Sequence, residues 1–307
     1  MPFFSVVIPL YNKAQHIRQT ILGVLGQTFT DFEVIIVDDG STDQSVNVVK
    51  SIQDDRLHLF CQANSGVSAA RNLGIRKAKA TYIALLDADD FWYPNYLETQ
   101  FESISQFSSD KVFSLAMEMQ YKKRWFPLDY SIHKSAIQRV GYFEASQSHT
   151  VLSSSSAVIH ISVFEEVGYF DTSLKSGQDT EMWIRMGLVF QIVFNPKMCA
   201  RYQYEDRNFL PIKKALLAVG ALEKFDRVSY QNKHLAEFLN RNYYAMALKS
   251  KIFGEWEEAE KFQQKIDISA LAVRKRILLY LPVFCLKFVI KLRNRLTVLG
   301  LGNRVFK

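Results

Sequence analysis

Four short apolar runs, separated by segments with helical spacing, fill the first third of this chain and constrain its fold more than any other feature. The runs are Phe4 to Pro9 (FSVVIP), Phe32 to Val37 (FEVIIV), Arg56 to Cys61 and Thr81 to Leu86. Between the first two, Ile17, Ile21, Val24 and Leu25 recur at helical intervals. Val46, Val49 and Ile52 mark a second helix, and Ser68 to Lys79 reads as an Ala-rich basic third. Continuous apolar runs, as opposed to alternating ones, are strands buried on both faces. Strand and helix in turn predict an α/β fold: a right-handed, mostly parallel sheet sandwiched by helices. Open sheets of this kind bind ligands at the carboxyl ends of their strands. Here those ends fall near Pro9, Asp38 and Asp87.

The fourth run stops in acid. Tyr82 to Asp90 reads YIALLDADD, which sets three carboxylates within four residues at one strand tip. Like charges so close repel, and a cation relieves them. An oxygen-only donor set suits a hard divalent ion, Mg²⁺ or Mn²⁺, which also binds substrate phosphates. Taken alone, D-x-D after a strand is read more readily as a polar turn, so the motif needs its surroundings.

Further along, Pro94 is placed to open a helix carrying Leu97, Phe101 and Ile104 on one face. Lys111 to Tyr121 and Ser156 to Ile161 read as strands, and Ser162 with Glu165 fits a capping box for a short helix. Asp43 is placed as the N-cap of the second helix, and Asp38 as a turn or helix cap. Thr180 to Phe190 is helical and leads into a strand over Phe190 to Phe194. Lys122 to His149, aromatic and basic without a period, reads as an irregular active-site loop. From Pro211 the pattern turns helical, over Ile212 to Phe225, Leu235 to Ile252 and Trp256 to Ile266, with Gly254 at a turn. The expected division is a catalytic domain over 1–210 and a helical extension over 211–307, in keeping with the two domains that 307 residues suggest.

The net charge of +7 is unevenly placed. From Ile268 onward there are nine Lys and Arg and no acid, so the preceding residues sum to −2. A near-neutral body argues against a nucleic-acid binder. The tail from Val273 to Leu296 combines those charges with Ile277, Leu278, Leu281, Phe284, Phe288 and Leu292. That composition fits a helix lying in an anionic membrane surface, or one packed on protein. No stretch reaches the ~20 apolar residues of a membrane-spanning helix. Three scattered cysteines and an opening Met1 to Ser5 without a basic leader point to a reducing, cytoplasmic setting, peripheral at the inner membrane face if the tail binds lipid.

Taken in order, SVVIPLYN from Ser5, QTFTDFEVIIVDDGSTD from Gln27, NSGVSAARNLGI from Asn64, YIALLDADDFWYP from Tyr82 and GYFDTSLKSGQDTEMWIR from Gly168 resemble the family 2 nucleotide-sugar glycosyltransferases. The resemblance covers roughly residues 3–205. It implies the GT-A fold and inverting transfer of a sugar, UDP-linked, to an acceptor hydroxyl in bacterial surface polysaccharide or lipid-linked glycan assembly. On the matching positions, it implies Pro9 and Tyr11 along the base and ribose, Asp39 on the base ring and Arg71 near the nucleotide. Asp87 then falls near ribose or sugar, Asp89 on a divalent metal bridging the diphosphate, and Asp179 in the role of general base. The family shows Glu-Asp where this chain has Gln178-Asp179, and Glu181 is the second candidate for the base. A His that many relatives place after this segment has no counterpart in Met198 to Arg207, which leaves Asp89 as the assigned metal ligand.

Two other enzyme classes fit less well. A haloacid-dehalogenase-type phosphatase also carries D-x-D after a strand, but wants Thr or Val where Phe91 stands. A nicotinamide dehydrogenase wants G-x-G-x-x-G after the first strand, which here is followed by Leu10-Tyr11-Asn12.

Overall fold

The computed structural model describes residues 1–121, 124–132, 136–202 and 219–298. The described residues form two compact units. The first runs to Tyr202 and includes Gly220–Leu222; the second holds Val219 and everything from Glu223 on.

The first unit is built on one sheet, whose strands run β1 (Phe4–Leu10), β2 (Phe32–Asp38), β3 (Leu57–Cys61), β4 (Tyr82–Leu85), β5 (Phe91–Trp92), β6 (Val112–Tyr121), β7 (Arg124–Pro127), β8 (Gln138–Val140), β9 (Ala157–His160) and β10 (Ile192–Tyr202). Their spatial order is β3-β2-β1-β4-β9-β6-β10-β5, with β7 on β6 and β8 on β10. Strands β3, β2, β1 and β4 are mutually parallel. Strand β9 runs antiparallel between β4 and β6, and β10 returns parallel to β6. Every residue of β1 and β2 is buried, including Ser5 and Glu33, whose side chains hydrogen-bond each other at 2.6 Å.

Helices α1 (Ile17–Leu25), α2 (Ser45–Lys50), α3 (Val67–Lys77), α4 (Tyr96–Gln106), α5 (Tyr142–Ala145), α6 (Ser162–Val167) and α7 (Gln178–Val189) complete this unit. Helix α3 lies close on β1: a Cβ at Gly74 would stand 2.4 Å from Val7 Cγ1. Only glycine allows that approach, and it fixes how far the helix's N-terminal turn reaches over the strand tips. At the other end of the sheet, Phe3, Phe29, Tyr82 and Phe101 form an aromatic cluster with ring centroids 4.9–5.9 Å apart. Such pairs contribute about 0.5–1.5 kcal/mol each beyond their area.

The strand order contains a reversal. The chain leaves β1 for β2 on one side, and after β3 it returns to β4 on the other side of β1. The crevice between the tips of β1 and β4 is therefore the topological switch point, where an open sheet places its ligand.

Several local expectations are corrected. The N-cap of α2 is Gln44, and Asp43 lies one residue earlier, tying Ser45 to Ala14. Helix α6 has Ile161 at its N-cap with no side-chain cap, because Ser162 Oγ is 2.9 Å from His160 Nδ1 instead. Pro94 precedes α4, whose N-cap is Asn95. The stretch read as an irregular loop holds β7, β8 and α5 among its described residues. Strand β10 is far longer than FQIVF, because pairing with β6 carries it through bulged registers to Tyr202. The two-residue β5, which closes against Ala200 and Arg201, has no periodicity to betray it.

Helix α8 (Val219–Glu223) is divided between the two units, and the rest of the second unit is helical: α9 (Asp226–Ser229), α10 (Lys233–Phe253), α11 (Trp256–Gln264), α12 (Val273–Tyr280) and α13 (Val283–Val298). Half of the helix expected over 212–225 lies outside the described residues. Gly254 ends α10 at φ 84°, in the left-handed region that glycine tolerates best, and turns the chain into α11. Asn232 caps α10 by accepting from Leu235 N at 3.0 Å. The basic tail, read as one helix, is two, since Leu281-Pro282 breaks it. No helix among the described residues is long and apolar enough to cross a membrane.

Candidate functional site

The tip of β4 is braced before it does any chemistry. After Leu86 the chain turns tightly, with Asp90 N donating to Asp87 O at 3.1 Å. Asp90 is buried and accepts from Ser155 Oγ, which in turn takes the Asp87 amide at 3.2 Å. The Thr20 hydroxyl lies 3.0 and 2.9 Å from the Ala88 and Asp90 carbonyls. Trp92, beside the acids, is core: it is buried, stacks on Tyr96 at 3.8 Å and donates its indole N–H to Ser155 O. Trp183 is core as well. Of the three acids, Asp90 therefore holds the turn, and Asp87 and Asp89 are left to face the rim.

Arg71 joins two distant acids. It sits in α3, is 2% exposed, and donates through NH2 to Asp87 Oδ1 at 2.8 Å and through NH1 to Asp179 Oδ1. Asp179 is the second residue of α7, far from β4 in sequence. Burial opposes the guanidinium's charge, but the Asp179 and Asp87 carboxylates overcome it and raise its pKa. Its Nε is buried without a hydrogen-bond partner, and its Cζ lies 5.3 Å from the Phe170 ring centroid. Asp87 is pushed the other way. Surrounding protein desolvates its carboxyl, although a third of the side chain by area reaches solvent; with Asp179 and Asp89 nearby, this holds it above the ordinary 3.8 despite Arg71.

Glu181 is bound elsewhere. It is buried and forms a double contact with Arg185, at 2.9 Å through Nε and 2.7 Å through NH2. Arg185 also donates to the carbonyls of Val167, Gly168 and Tyr169, so this pair anchors α7 to the loop before it. Gln178, where the family has Glu, keeps Oε1 buried without a partner.

At the tips of β1 and β2, Pro9 is buried and pairs with Val37, whereas Tyr11 just beyond is 47% exposed. Asp39 N donates to Leu10 O at 2.8 Å, which ties the two tips together. The Asp39 carboxylate is buried and accepts from Gln62 Nε2 at 2.7 Å, Ser65 N at 2.8 Å and Gly66 N at 2.8 Å. It thereby positions the start of α3, and so Arg71, relative to β1. Gln62 and Ser65 also line a cavity of about 590 Å³, together with Asn72, Arg76 and Tyr169. Asp38 acts as a turn cap, its Oδ2 accepting from Ser41 N at 3.2 Å.

Asp89, the candidate metal ligand, pairs with Lys13 Nζ. Among the described residues no three His, Cys, Asp or Glu side chains stand together as a ready-made cage. That is compatible with Mg²⁺ or Mn²⁺, which are usually held by one or two carboxylates and complete their shell with water and phosphate. No sequence motif pointed to Lys13. It directly follows Leu10-Tyr11-Asn12, but nothing in its spacing indicates an acid 76 positions away.

Against known proteins, the family model described as "Glycosyl transferase family 2" matches residues 5–168. An uncharacterized glycosyltransferase of Haemophilus influenzae is 41% identical over 34% of this chain and 44% of its own length. TuaG of Bacillus subtilis, a putative teichuronic acid biosynthesis glycosyltransferase, is 36% identical over 43% of this chain and 53% of its own. The chain thus spans about half the length of these relatives. Among solved structures, S. aureus TarS 1-349 in complex with UDP-GlcNAc superposes with a TM-score of 0.69 at 22% identity, covering 87% of this chain and 82% of that one. The likeness shows the fold, GT-A, with its central mostly parallel sheet. The family match covers more than half of the chain and contains β1, β2, the Asp39 turn, Arg71 and the D-x-D tip. This chain belongs to glycosyl transferase family 2.

Proposed function

We propose that this chain is an inverting glycosyltransferase that moves a sugar from a nucleoside-diphosphate donor, UDP-linked, to an acceptor hydroxyl in surface-polysaccharide or lipid-linked glycan assembly. One observation carries the reading: Arg71 draws Asp87 from the tip of β4 and Asp179 from the start of α7 to a single guanidinium at the switch point. Donor-binding and proton-accepting groups must lie close together for such a transfer, and the guanidinium that Asp87 and Asp179 share supports that reading. In this reading Tyr11 and Asp39 flank the nucleoside, Arg71 faces the diphosphate with its orphan Nε, and Asp87 meets ribose or sugar. Asp179, 38% exposed at its side chain, takes the acceptor's proton. The oxygen-only donor set fits a divalent metal on Asp89, and such an ion, when bound, stabilises negative charge on the departing nucleoside diphosphate. The names of related proteins support the donor and pathway class: TarS has been crystallised with UDP-GlcNAc and with UDP, and TuaG is ascribed to teichuronic acid biosynthesis.

The test is a thermal-shift screen of nucleotide sugars with Mn²⁺. Ligand at 100 times its Kd stabilises the fold by about 2.7 kcal/mol, so the right donor raises the melting temperature by several degrees. No shift with any nucleoside diphosphate or its sugar would refute the reading.

The tail supports membrane contact. Val273, Ile277, Tyr280, Phe284, Phe288 and Leu292 are 42–74% exposed and recur at intervals of three or four across α12 and α13. This revises the face expected from sequence: Leu278 and Leu281 are half-buried, and Val273 and Tyr280 take their place. Flanking Lys and Arg are each worth about 1 kcal/mol near an anionic surface. The protein is expected to sediment with phosphatidylglycerol vesicles, and the double change Phe284→Ser, Phe288→Ser to weaken this at least tenfold. Unaltered sedimentation would exclude these helices as the contact.

A further inference from the structure

The acid assigned to a metal already has a cation. Lys13 Nζ donates to Asp89 Oδ2, with side chains 32% and 20% exposed. Both partners stand on braced supports. Lys13 N donates to Ser45 Oγ at 2.8 Å and Ala14 N to Asp43 Oδ2 at 3.1 Å. Asn12 N donates to Ser41 Oγ at 3.0 Å, and Asn12 Oδ1 accepts from Thr42 N at 2.8 Å and Asp43 N at 3.3 Å. These bonds hold Asn12 at φ 51°, the left-handed region that asparagine tolerates better than most side-chain-bearing residues. The loop after β1 is thus locked onto the loop after β2, and the lock aims Lys13 at the D-x-D turn. That turn is itself fixed by Asp90, Ser155 and Thr20.

A lysine ammonium is a compact point charge on a flexible stem, suited to exchanging one anion for another. We propose that Lys13 is a donor-site residue that competes with the divalent metal for Asp89. In the donor-free protein it neutralises Asp89 and keeps free metal affinity low. When a nucleoside diphosphate arrives, the ammonium turns to a phosphate oxygen, and Asp89 becomes available to the metal that accompanies the nucleotide. Metal and donor then enter together. The inference rests on the donor site proposed above and adds to it the order of binding.

The test compares wild type with Lys13→Met in two titrations. Mn²⁺ binding to the nucleotide-free protein, followed by electron paramagnetic resonance, is expected to be about two- to fivefold tighter in Lys13→Met, the range set by a partly exposed ion pair. UDP binding in EDTA, followed by calorimetry, is expected to be about three- to tenfold weaker in the same variant, and Lys13→Arg should keep both wild-type values. Asp89→Asn should erase the gain in Mn²⁺ affinity. Equal Mn²⁺ binding by wild type and Lys13→Met, including none by either, overturns the competition. UDP binding in EDTA that is absent from wild type or unchanged by Lys13→Met overturns the transfer to phosphate. Should Lys13→Met fail to melt cooperatively, Lys13→Gln replaces it in both titrations. The Mn²⁺ comparison contains no nucleotide, so its outcome is separate from the thermal-shift result on which the donor site stands.

Discussion

Asp179→Asn is expected to lower turnover about 10²–10⁴-fold while leaving UDP affinity within a factor of two or so, the signature of losing a positioned base. Asparagine keeps the shape and one acceptor oxygen, so Arg71 retains a partner at that position, and Asp87 still compensates the guanidinium at 2.8 Å. What Asn cannot do is take the acceptor hydroxyl's proton as the oxygen attacks the anomeric carbon. Steady-state kinetics with donor and acceptor varied separately reads the difference: kcat falls and the donor's KM holds. The matched control is Glu181→Gln. Glu181 is buried against Arg185, and its loss should reduce stability by loosening α7, with turnover in the folded fraction largely kept. Full turnover in Asp179→Asn with loss in Glu181→Gln would move the base to Glu181.

Arg71→Leu should have the second large effect, on both stability and donor binding. Removing one partner of a buried ion pair costs about 3–5 kcal/mol when the remaining charge is fully buried. Here the remaining carboxylates are 34% and 38% exposed, so solvent screening reduces the expected loss to about 1–3 kcal/mol. The loss should depend on pH in a defined direction. Asp87 already has a folded pKa above its ordinary 3.8, and without Arg71 it rises further. A carboxyl with a raised folded pKa binds more protons when folded than when unfolded between the two values. Its contribution to stability is present below 3.8 and is lost as pH climbs through the raised value. The deficit of Arg71→Leu relative to wild type, measured by urea melts, should therefore shrink as pH is lowered from 7.5 to about 5. A deficit that grows on acidification would show that the guanidinium is not what compensates Asp87. UDP affinity should fall at least tenfold at every pH, since the orphan Nε and the charge behind it are both gone.

How much of this was legible beforehand differs from residue to residue. The largely apolar FSVVIP and FEVIIV runs announced central parallel strands, because a strand buried on both faces has no solvent-facing side to write into the sequence. Gly254 announced its turn, because few other residues sit easily at φ 84°. The D-x-D motif and the surrounding family signatures located the strand tip and Arg71. The hidden features are those made by neighbours far off in sequence. Strand β5 is two residues long and exists only because β10 passes beside it. Asp43 looked like a helix cap because cap chemistry is local, yet one of its oxygens is taken by Ala14 N, 29 positions away, which ties the loop after β1 to the loop after β2. The acids at the rim show the same division. Asp87, Asp89 and Asp90 are nearly equivalent as text, and packing gives them Arg71, Lys13 and Ser155 as separate partners.

The chain's own residues determined the layered α/β architecture, the strand tips where chemistry could gather, and the charge asymmetry between body and tail, since hydrophobic period and composition act over a few neighbouring positions. Only the tertiary structure decided which acid meets which cation. Those pairings depend on the return of β4 to the far side of β1 and on the close seat of α3 against Val7, and both are set by the packing of the whole sheet.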